Sequence, residues 1–157
     1  MPPITIRPAQ PSDAAELSEL IIKNAEITLK PHYSEEQWNV FLKYYEITEV
    51  TKKIATQKVF CATQENDIVG TIALNDDLVV GFYTRVQDLN QGIGKLLMQH
   101  LEDYAKANGL KTIQLTASPV GLAFYYKNGW QKVRAYVFEY LGVGFDETLM
   151  EKPIAHK

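Results

Sequence analysis

The hydrophobic pattern of this 157-residue chain predicts an α/β (α+β) architecture: a mixed, mostly antiparallel seven-stranded sheet flanked by about four helices. The element order reads β-α-α-β-β-β-α-β-α-β-β, and its uninterrupted runs of strands disfavour a doubly wound parallel sheet. One crossover departs from the meander. Strand Leu78–Arg85, helix Gly92–Asn108 and strand Thr112–Thr116 form a β-α-β unit, whose strands should be parallel with a right-handed connection. The length fits about one domain over 1–157, since domains hold roughly 100–200 residues and no linker, low-complexity segment or repeat divides the chain.

Ile4-Thr5-Ile6-Arg7 alternates as a short strand, and the acidic Asp13 then suits a helix N-terminus, with Leu17, Leu20, Ile21 and Ile27 near one face. Pro31 stops that helix. Ser34-Glu35-Glu36-Gln37 is a capping-box pattern that starts another, carrying Trp38, Phe41, Leu42 and Tyr45. From Lys58 the period changes to that of strands: Lys58–Gln64, Ile68–Leu74 and Leu78–Arg85 form a meander joined by short polar turns. Gly92–Asn108 places Ile93, Leu96, Leu97, Leu101, Tyr104 and Ala105 on one stripe, with Gly109 as its C-terminal cap. After strand Thr112–Thr116 come a short helix, Gly121–Asn128, ended by Gly129, and two final strands at Val133–Leu141 and Leu149–Ile154.

Composition excludes several functions. The net charge of −3, with no basic stripe, argues against a nucleic-acid partner. The longest apolar run, Leu78–Tyr83, is far below the ~18 residues of a membrane helix, and Met1-Pro2-Pro3 opens no secretory signal, so a soluble, cytoplasmic protein without a membrane partner is expected. The only cysteine, Cys61, lies in Val59-Phe60-Cys61-Ala62 and reads as a buried strand residue, not a nucleophile. His32, His100 and His156 have no companion at ligand spacing, which supports neither a metal site nor a Ser-His-Asp hydrolase.

The informative segment is Gln87-Asp88-Leu89-Asn90-Gln91-Gly92-Ile93-Gly94-Lys95, a polar loop entering a helix with glycines two apart. The first turn of a helix carries unpaired N–H groups and about half a positive charge, so an anionic phosphate is a natural ligand there. A dinucleotide fingerprint would need a third glycine where Leu97 stands; a P-loop would need Gly and Ser or Thr where Leu89 and Leu96 stand. A purely structural role for the glycines, in a tight turn and close packing, remains the alternative.

Downstream, at the far end of the same β-α-β unit, runs Thr116-Ala117-Ser118-Pro119-Val120-Gly121-Leu122-Ala123-Phe124-Tyr125-Tyr126-Lys127-Asn128-Gly129-Trp130. With this segment the chain resembles the GCN5-related N-acetyltransferase (GNAT) superfamily. Gly92 and Gly94 match the acetyl-CoA motif Gln/Arg-x-x-Gly-x-Gly/Ala, and Phe124-Tyr125 with Gly129-Trp130 match the later family pattern. The opening Ile4-Thr5-Ile6-Arg7-Pro8-Ala9 with Asp13 and the whole element order extend the likeness to nearly all of the chain. Leu89 stands at the family's Gln or Arg position, and Asn90 where glycine is common.

The resemblance implies an acetyl-CoA-dependent N-acetyltransferase acting on a primary amine of a small molecule or peptide by direct attack in a ternary complex, with no metal. Backbone groups at Phe82, Tyr83 and Thr84 would face pantetheine and the acetyl carbonyl, stabilising the developing oxyanion. Leu89, Asn90, Gln91, Gly92, Ile93, Gly94 and Lys95 would cradle the pyrophosphate, and Ser118, Phe124, Tyr125 and Lys127 would complete the cofactor site. Tyr125 matches the tyrosine that serves the departing thiolate, with Tyr126 as fallback. Its reference pKa of ~10 exceeds that of a thiol by about 1.5, so a hydrogen bond to the sulfur is favoured over full proton transfer.

An alkyl ammonium must also lose its proton, and Glu26, His32, Glu46 and Glu139 are the base candidates. The acceptor site should lie among His32, Tyr33, Trp38, Phe41, Tyr44, Tyr45, Tyr136, Phe138 and Tyr140, which also suit a core. If they line a cleft, a small acceptor with an apolar or aromatic body fits best. Arg85 suits either an anionic group or a salt bridge. A homodimer through the late strands is a further expectation. The rivals are a noncatalytic acyl-CoA-binding module and an interaction domain whose CoA site has decayed at Leu89.

Overall fold

Alternation along one strand sorts the core. Phe60 and Ala62 pack with one apolar cluster while Cys61, between them, packs with another. The computed structural model describes residues 2–154, and within them the strand β2 (Lys58–Gln64) belongs to one seven-stranded sheet. Its other members are β1 (Thr5–Pro8), β3 (Asp67–Asn75), β4 (Leu78–Thr84), β5 (Thr112–Ala117), β6 (Gln131–Tyr140) and β7 (Val143–Pro153). The spatial order is β1-β2-β3-β4-β5-β7-β6, antiparallel throughout except where β4 meets β5. The expected mixed sheet and its parallel crossover are both present.

Helices cover both faces. Helix α4 (Ile93–Ala107) buries Ile93, Leu97, Met98, Leu101 and Ala105 with Phe60, Val69 and Met150, and the short α5 (Leu122–Lys127) packs Leu122 and Tyr125 on the same side. On the opposite face α1 (Ala14–Thr28) and α2 (Glu35–Tyr44) bury Leu17, Ile21, Trp38 and Phe41 with Cys61 and Ile68. The capping box forms as its pattern predicts: Gln37 N–H donates to Ser34 Oγ at 3.0 Å, and Ser34 N–H donates to Gln37 Oε1 at 2.9 Å.

Several details differ from the expectation. A fifth helix, α3 (Ile47–Thr56), follows α2, with Val50 in the α1 cluster and Ile54 packed against it. Strand β7 starts at Val143 rather than near Leu149, because Leu141 and Gly142, both with positive φ, make a tight β6–β7 turn. Ile27 is 60% exposed and Leu96 48%. The stripe of α1 continues instead through the buried Asn24 and Ala25, and that of α4 through Met98. Asp13 does not cap α1 with its side chain. It accepts from Gln10 N–H at 2.7 Å and takes a forked bond from Arg7, at 2.8 and 3.0 Å, tying β1 to the turn before α1. Met1 and His156 lie outside the described residues.

Candidate active site

The gap between β4 and β5 is the central feature. The two strands share a single register pair, Leu78 with Gln114, and then diverge. A bulge in β4 accounts for the divergence: Thr71 of β3 pairs with Tyr83 and Ala73 with Val80, so Gly81 and Phe82 oppose one residue. Gly81 takes φ +60°, a conformation glycine supplies without steric cost, and a bulged strand bends away from its neighbour. The far end of β4 is pinned by α1, whose Asn24 Nδ2 donates to the Thr84 carbonyl at 2.7 Å.

At the mouth of this gap α4 begins. Gly92 is its N-cap, at φ +83°, and offers no side chain to the free N–H groups of the first turn. No acidic residue occupies that turn, whereas α1, α2 and α3 each carry at least one, so the positive end of the α4 dipole is uncompensated. Lys95 adds an exposed cation, and Leu89, Asn90, Gln91 and Gly92 are all exposed. A Cβ on Gly94 would sit 3.3 Å from the Phe82 ring and 4.0 Å from Thr84 Oγ1, so glycine there keeps the helix start close against β4. Arg85 is paired with the buried Asp88 carboxylate and lies 3.8 Å from Asp67, so the expected salt bridge is present.

From the other side α5 brings its aromatic pair. Phe82 and Phe124 centroids lie 6.2 Å apart, Phe124 and Tyr125 5.4 Å, and Tyr125 and Trp130 6.0 Å. Ser118 opens the turn leading to α5, and a Cβ on Gly121 would meet the Tyr125 ring at 3.2 Å and Ser118 Oγ at 3.8 Å. Thus Phe82, Gly94, Ser118, Phe124 and Tyr125 gather around one gap. Lys127 is exposed in the last turn of α5 and makes no ion pair among the described residues; Tyr126 is also exposed. Beside Lys95 a cleft of about 230 Å³ opens between α4 and α5, lined also by Gln99, Phe124, Asn128 and Trp130. Burial, reinforced by the charge of Glu147, pushes the Tyr125 phenol well above its ordinary value. Tyr125 is therefore a firm O–H donor and a poor source of a fully transferred proton.

On the α1–α2 face an aromatic ring of residues closes on itself. From Tyr33 it runs through Phe145, Phe138, Tyr44, Tyr45 and Phe41 back to Tyr33, with successive centroids 4.9–6.1 Å apart. Trp38, Phe41 and Tyr45 are core residues, whereas Tyr33, Tyr44, Tyr136, Phe138 and Tyr140 are half-buried. Tyr45 meets Tyr83 of β4 edge to face at 5.7 Å, linking this aromatic wall to the gap.

The four base candidates from sequence, Glu26, His32, Glu46 and Glu139, are all solvent-exposed. His100 packs edge-on against Phe60. Sequence reasoning passed over a further carboxylate, Glu147. It is half-buried on β7, two residues beyond the buried Phe145 and so on the same face. Burial raises its pKa above the ordinary value, opposed by a hydrogen bond with Thr116 on β5. Its charge acts on Tyr33, Tyr44, Tyr45, Tyr83 and Tyr125, and it is the one acid common to all five. The alternation Phe145-x-Glu147-x-Leu149 was the available signal, hidden by Gly144 and Asp146.

A family model described as an acetyltransferase (GNAT) domain matches residues 29–152. Among solved structures, a GCN5-related N-acetyltransferase from Rhodopseudomonas palustris superposes with a TM-score of 0.88 at 24% identity, covering 98% of this chain and 96% of that one. The PaiA N-acetyltransferase from Thermoplasma acidophilum, in complex with coenzyme A, gives 0.81 at 22% identity, with 96% and 99% covered. Apo YjaB from Escherichia coli gives 0.75 at 17%, with 95% and 97% covered. No functionally curated protein matches the chain. The matched family model covers well over half of the chain, from α2 through nearly all of β7, including the splayed strands and both glycine-bearing helix starts, and on that ground the chain belongs to the GNAT family of acetyltransferases.

Proposed function

We propose that this protein moves an acetyl group from acetyl-CoA to a primary amine of a small molecule or peptide, by direct attack in a ternary complex. The observation that carries the reading is the gap between β4 and β5 with the uncapped start of α4 at its mouth. The residues present fit the cosubstrate: a glycine-lined helix terminus for a pyrophosphate, a slot between diverging strands for an extended arm, and an aromatic lining at Phe82 and Phe124. Leu89 is no obstacle, because the anion is held by backbone N–H groups and Lys95.

When bound, acetyl-CoA supplies the activated acyl carbon and a thiol leaving group. The chain's own groups hold and polarise. Backbone N–H groups of β4 at the bulge are available to the acetyl oxygen where negative charge develops, an effect worth about 3 kcal/mol per donor. Tyr125 donates a hydrogen bond to the departing sulfur and keeps its proton, as its raised pKa requires. No enzyme nucleophile is needed, and Cys61, buried with its thiol pushed up to about 12, is unsuited to be one. Edge strand β6 exposes Val133 and Val137, which would suit pairing with a second copy.

Tyr125→Phe tests the assignment. Turnover, followed as thiol release, should fall about ten- to a hundred-fold while acetyl-CoA affinity is kept. Unchanged turnover would remove Tyr125 from the chemistry, and binding without any turnover in the parent protein would favour the acyl-CoA-binding module.

A further inference from the structure

Along α1 the apolar stripe of Leu17, Leu20 and Ile21 comes round at position 24 to an asparagine. Asn24 is 7% exposed. An amide there is a weaker helix former than leucine, and burying it is costly unless its donor and acceptor are paired. Its Nδ2 donates to the Thr84 carbonyl at 2.7 Å, and its Oδ1 accepts from Thr28 Oγ1, one turn further along α1, at 3.0 Å. The Thr28 hydroxyl, which also lies 3.1 Å from the Asn24 backbone carbonyl, thus fixes which end of the amide turns to β4.

Thr84 is the last residue of β4, and the pairing of β3 with β4 sets where its peptide groups point. Thr84 stands opposite Gly70, and the next residue, Arg85, donates its N–H to the Val69 carbonyl at 2.8 Å. In an antiparallel pair, residues that exchange bonds alternate with residues that do not, so Thr84 turns its N–H and its C=O away from β3, to the side where a further strand would pair. No strand pairs there: past Leu78 no register pair joins β4 to β5. Asn24 takes the carbonyl that the absent strand leaves over, and the Thr84 N–H on the same edge faces the gap as a donor.

We propose that Asn24 is a positioning residue for the acetyl donor, a one-residue substitute for the missing strand that holds the end of β4 so that the Thr84 N–H meets a carbonyl of the extended arm. The proposal rests on the acetyl-CoA reading above and assigns a residue of α1 to it. With the Thr84 carbonyl held by Asn24 and the Arg85 N–H held by Val69, the strand end is clamped from both sides before the donor arrives, and the ordering cost of binding falls. The edge then favours an arm that offers it carbonyl oxygens, because the neighbouring backbone acceptor is already taken. Asn24 acts through Thr84, so its loss weakens the hold on the donor and leaves the chemical step in place.

Asn24→Leu keeps a similar side-chain volume and removes both hydrogen bonds. Calorimetry on the full chain should show CoA binding weakened about five- to twenty-fold, and KM for acetyl-CoA should rise by a like factor with kcat within about two-fold. Amide hydrogen exchange reads the same contact without turnover: CoA should slow exchange at Thr84 at least about ten-fold in the parent and less in the variant. Thr28→Val, which frees the amide to rotate, should weaken CoA binding about two- to five-fold, and Thr28→Ser should keep the parent affinity. Thermal melts show whether each variant is folded, and the Thr28 pair decides the matter if Asn24→Leu is not. Unchanged CoA affinity in folded Asn24→Leu or in Thr28→Val, or a fall in kcat with KM unmoved, overturns the proposal and leaves acetyl transfer standing. CoA binding that depends on Asn24 in a protein that acetylates no amine sinks acetyl transfer and leaves the positioning role in place. A parent protein that does not bind CoA overturns both.

Discussion

Gly70 couples the fold to the site. It lies on β3 beneath the first turns of α4, and a Cβ there would meet Leu97 Cδ1 at 2.8 Å, Ile93 Cγ2 at 3.0 Å and the Tyr83 carbonyl at 3.4 Å. Ordinary carbon contacts are about 3.5–4.0 Å, so Gly70→Ala forces α4 outward by roughly 0.7–1 Å. Neither neighbour has slack, since Leu97 is 0% and Ile93 2% exposed. Overpacking of this kind costs about 1–3 kcal/mol, and for a domain of this size each kcal/mol moves Tm by roughly 2–4 °C. A fall of about 4–8 °C is expected in differential scanning calorimetry. Because Ile93 and Gly94 form the helix start, acetyl-CoA affinity should fall as well. Leu97→Val removes the closest atom and should relieve part of the penalty in the double variant. A Tm within about 1 °C of the parent, with unchanged affinity, would refute the claim that the β3–α4 contact sets the cradle.

Other outcomes follow from the charged and buried groups. Asp13 is held below its ordinary pKa by the Arg7 hydrogen bonds, so its contribution is present above the unfolded value near 3.8 and is lost as pH falls through the folded one. Asp13→Asn should cost about 1 kcal/mol near neutrality, Arg7 being partly exposed, and nothing in strong acid, as read from urea melts at each pH. Glu147 has the opposite sign: its raised pKa means that ionisation in the folded state costs stability as pH rises through that value. Glu147→Gln should therefore raise Tm near neutrality, with the gain vanishing below the ordinary value of 4.5, where both states are protonated. Cys61 should resist a thiol-reactive disulfide reagent in the native protein and react at once in denaturant; rapid native labelling would contradict its burial at 0% exposure.

What the sequence disclosed follows the range of the forces involved. Local chemistry was legible: the Ser34–Gln37 box, the Gly92 helix start and the Gly109 cap, at φ +86°, are each determined within a few residues. The gap between β4 and β5 was legible through resemblance, and its cause at Gly81 and Phe82 emerges only from the pairing of β3 with β4. Helix α3 escaped notice because Ile47, Thr48, Val50, Thr51 and Ile54 are β-branched and weakly helical alone; packing of Val50 and Ile54 against the α1 cluster decides their state. Glu147 escaped for a similar reason. In Asp146-Glu147-Thr148 it reads as a solvated hairpin, and its half-burial comes from long-range packing on β7, where Gln37 and Tyr33 dock on Gly144 and Phe145. Exposed acids such as Glu26 and Glu139 are indistinguishable from it in composition.

The central claim is acetyl transfer to an amine, and its most direct measurement is product stoichiometry. Purified protein with acetyl-CoA and phenethylamine should yield N-acetylated amine and free CoA in equal amounts by mass spectrometry, well above the enzyme-free rate. Binding of acetyl-CoA with no N-acetyl product from phenethylamine or from any amine in a broad panel would contradict it, and would leave a fold that holds the cosubstrate without using it.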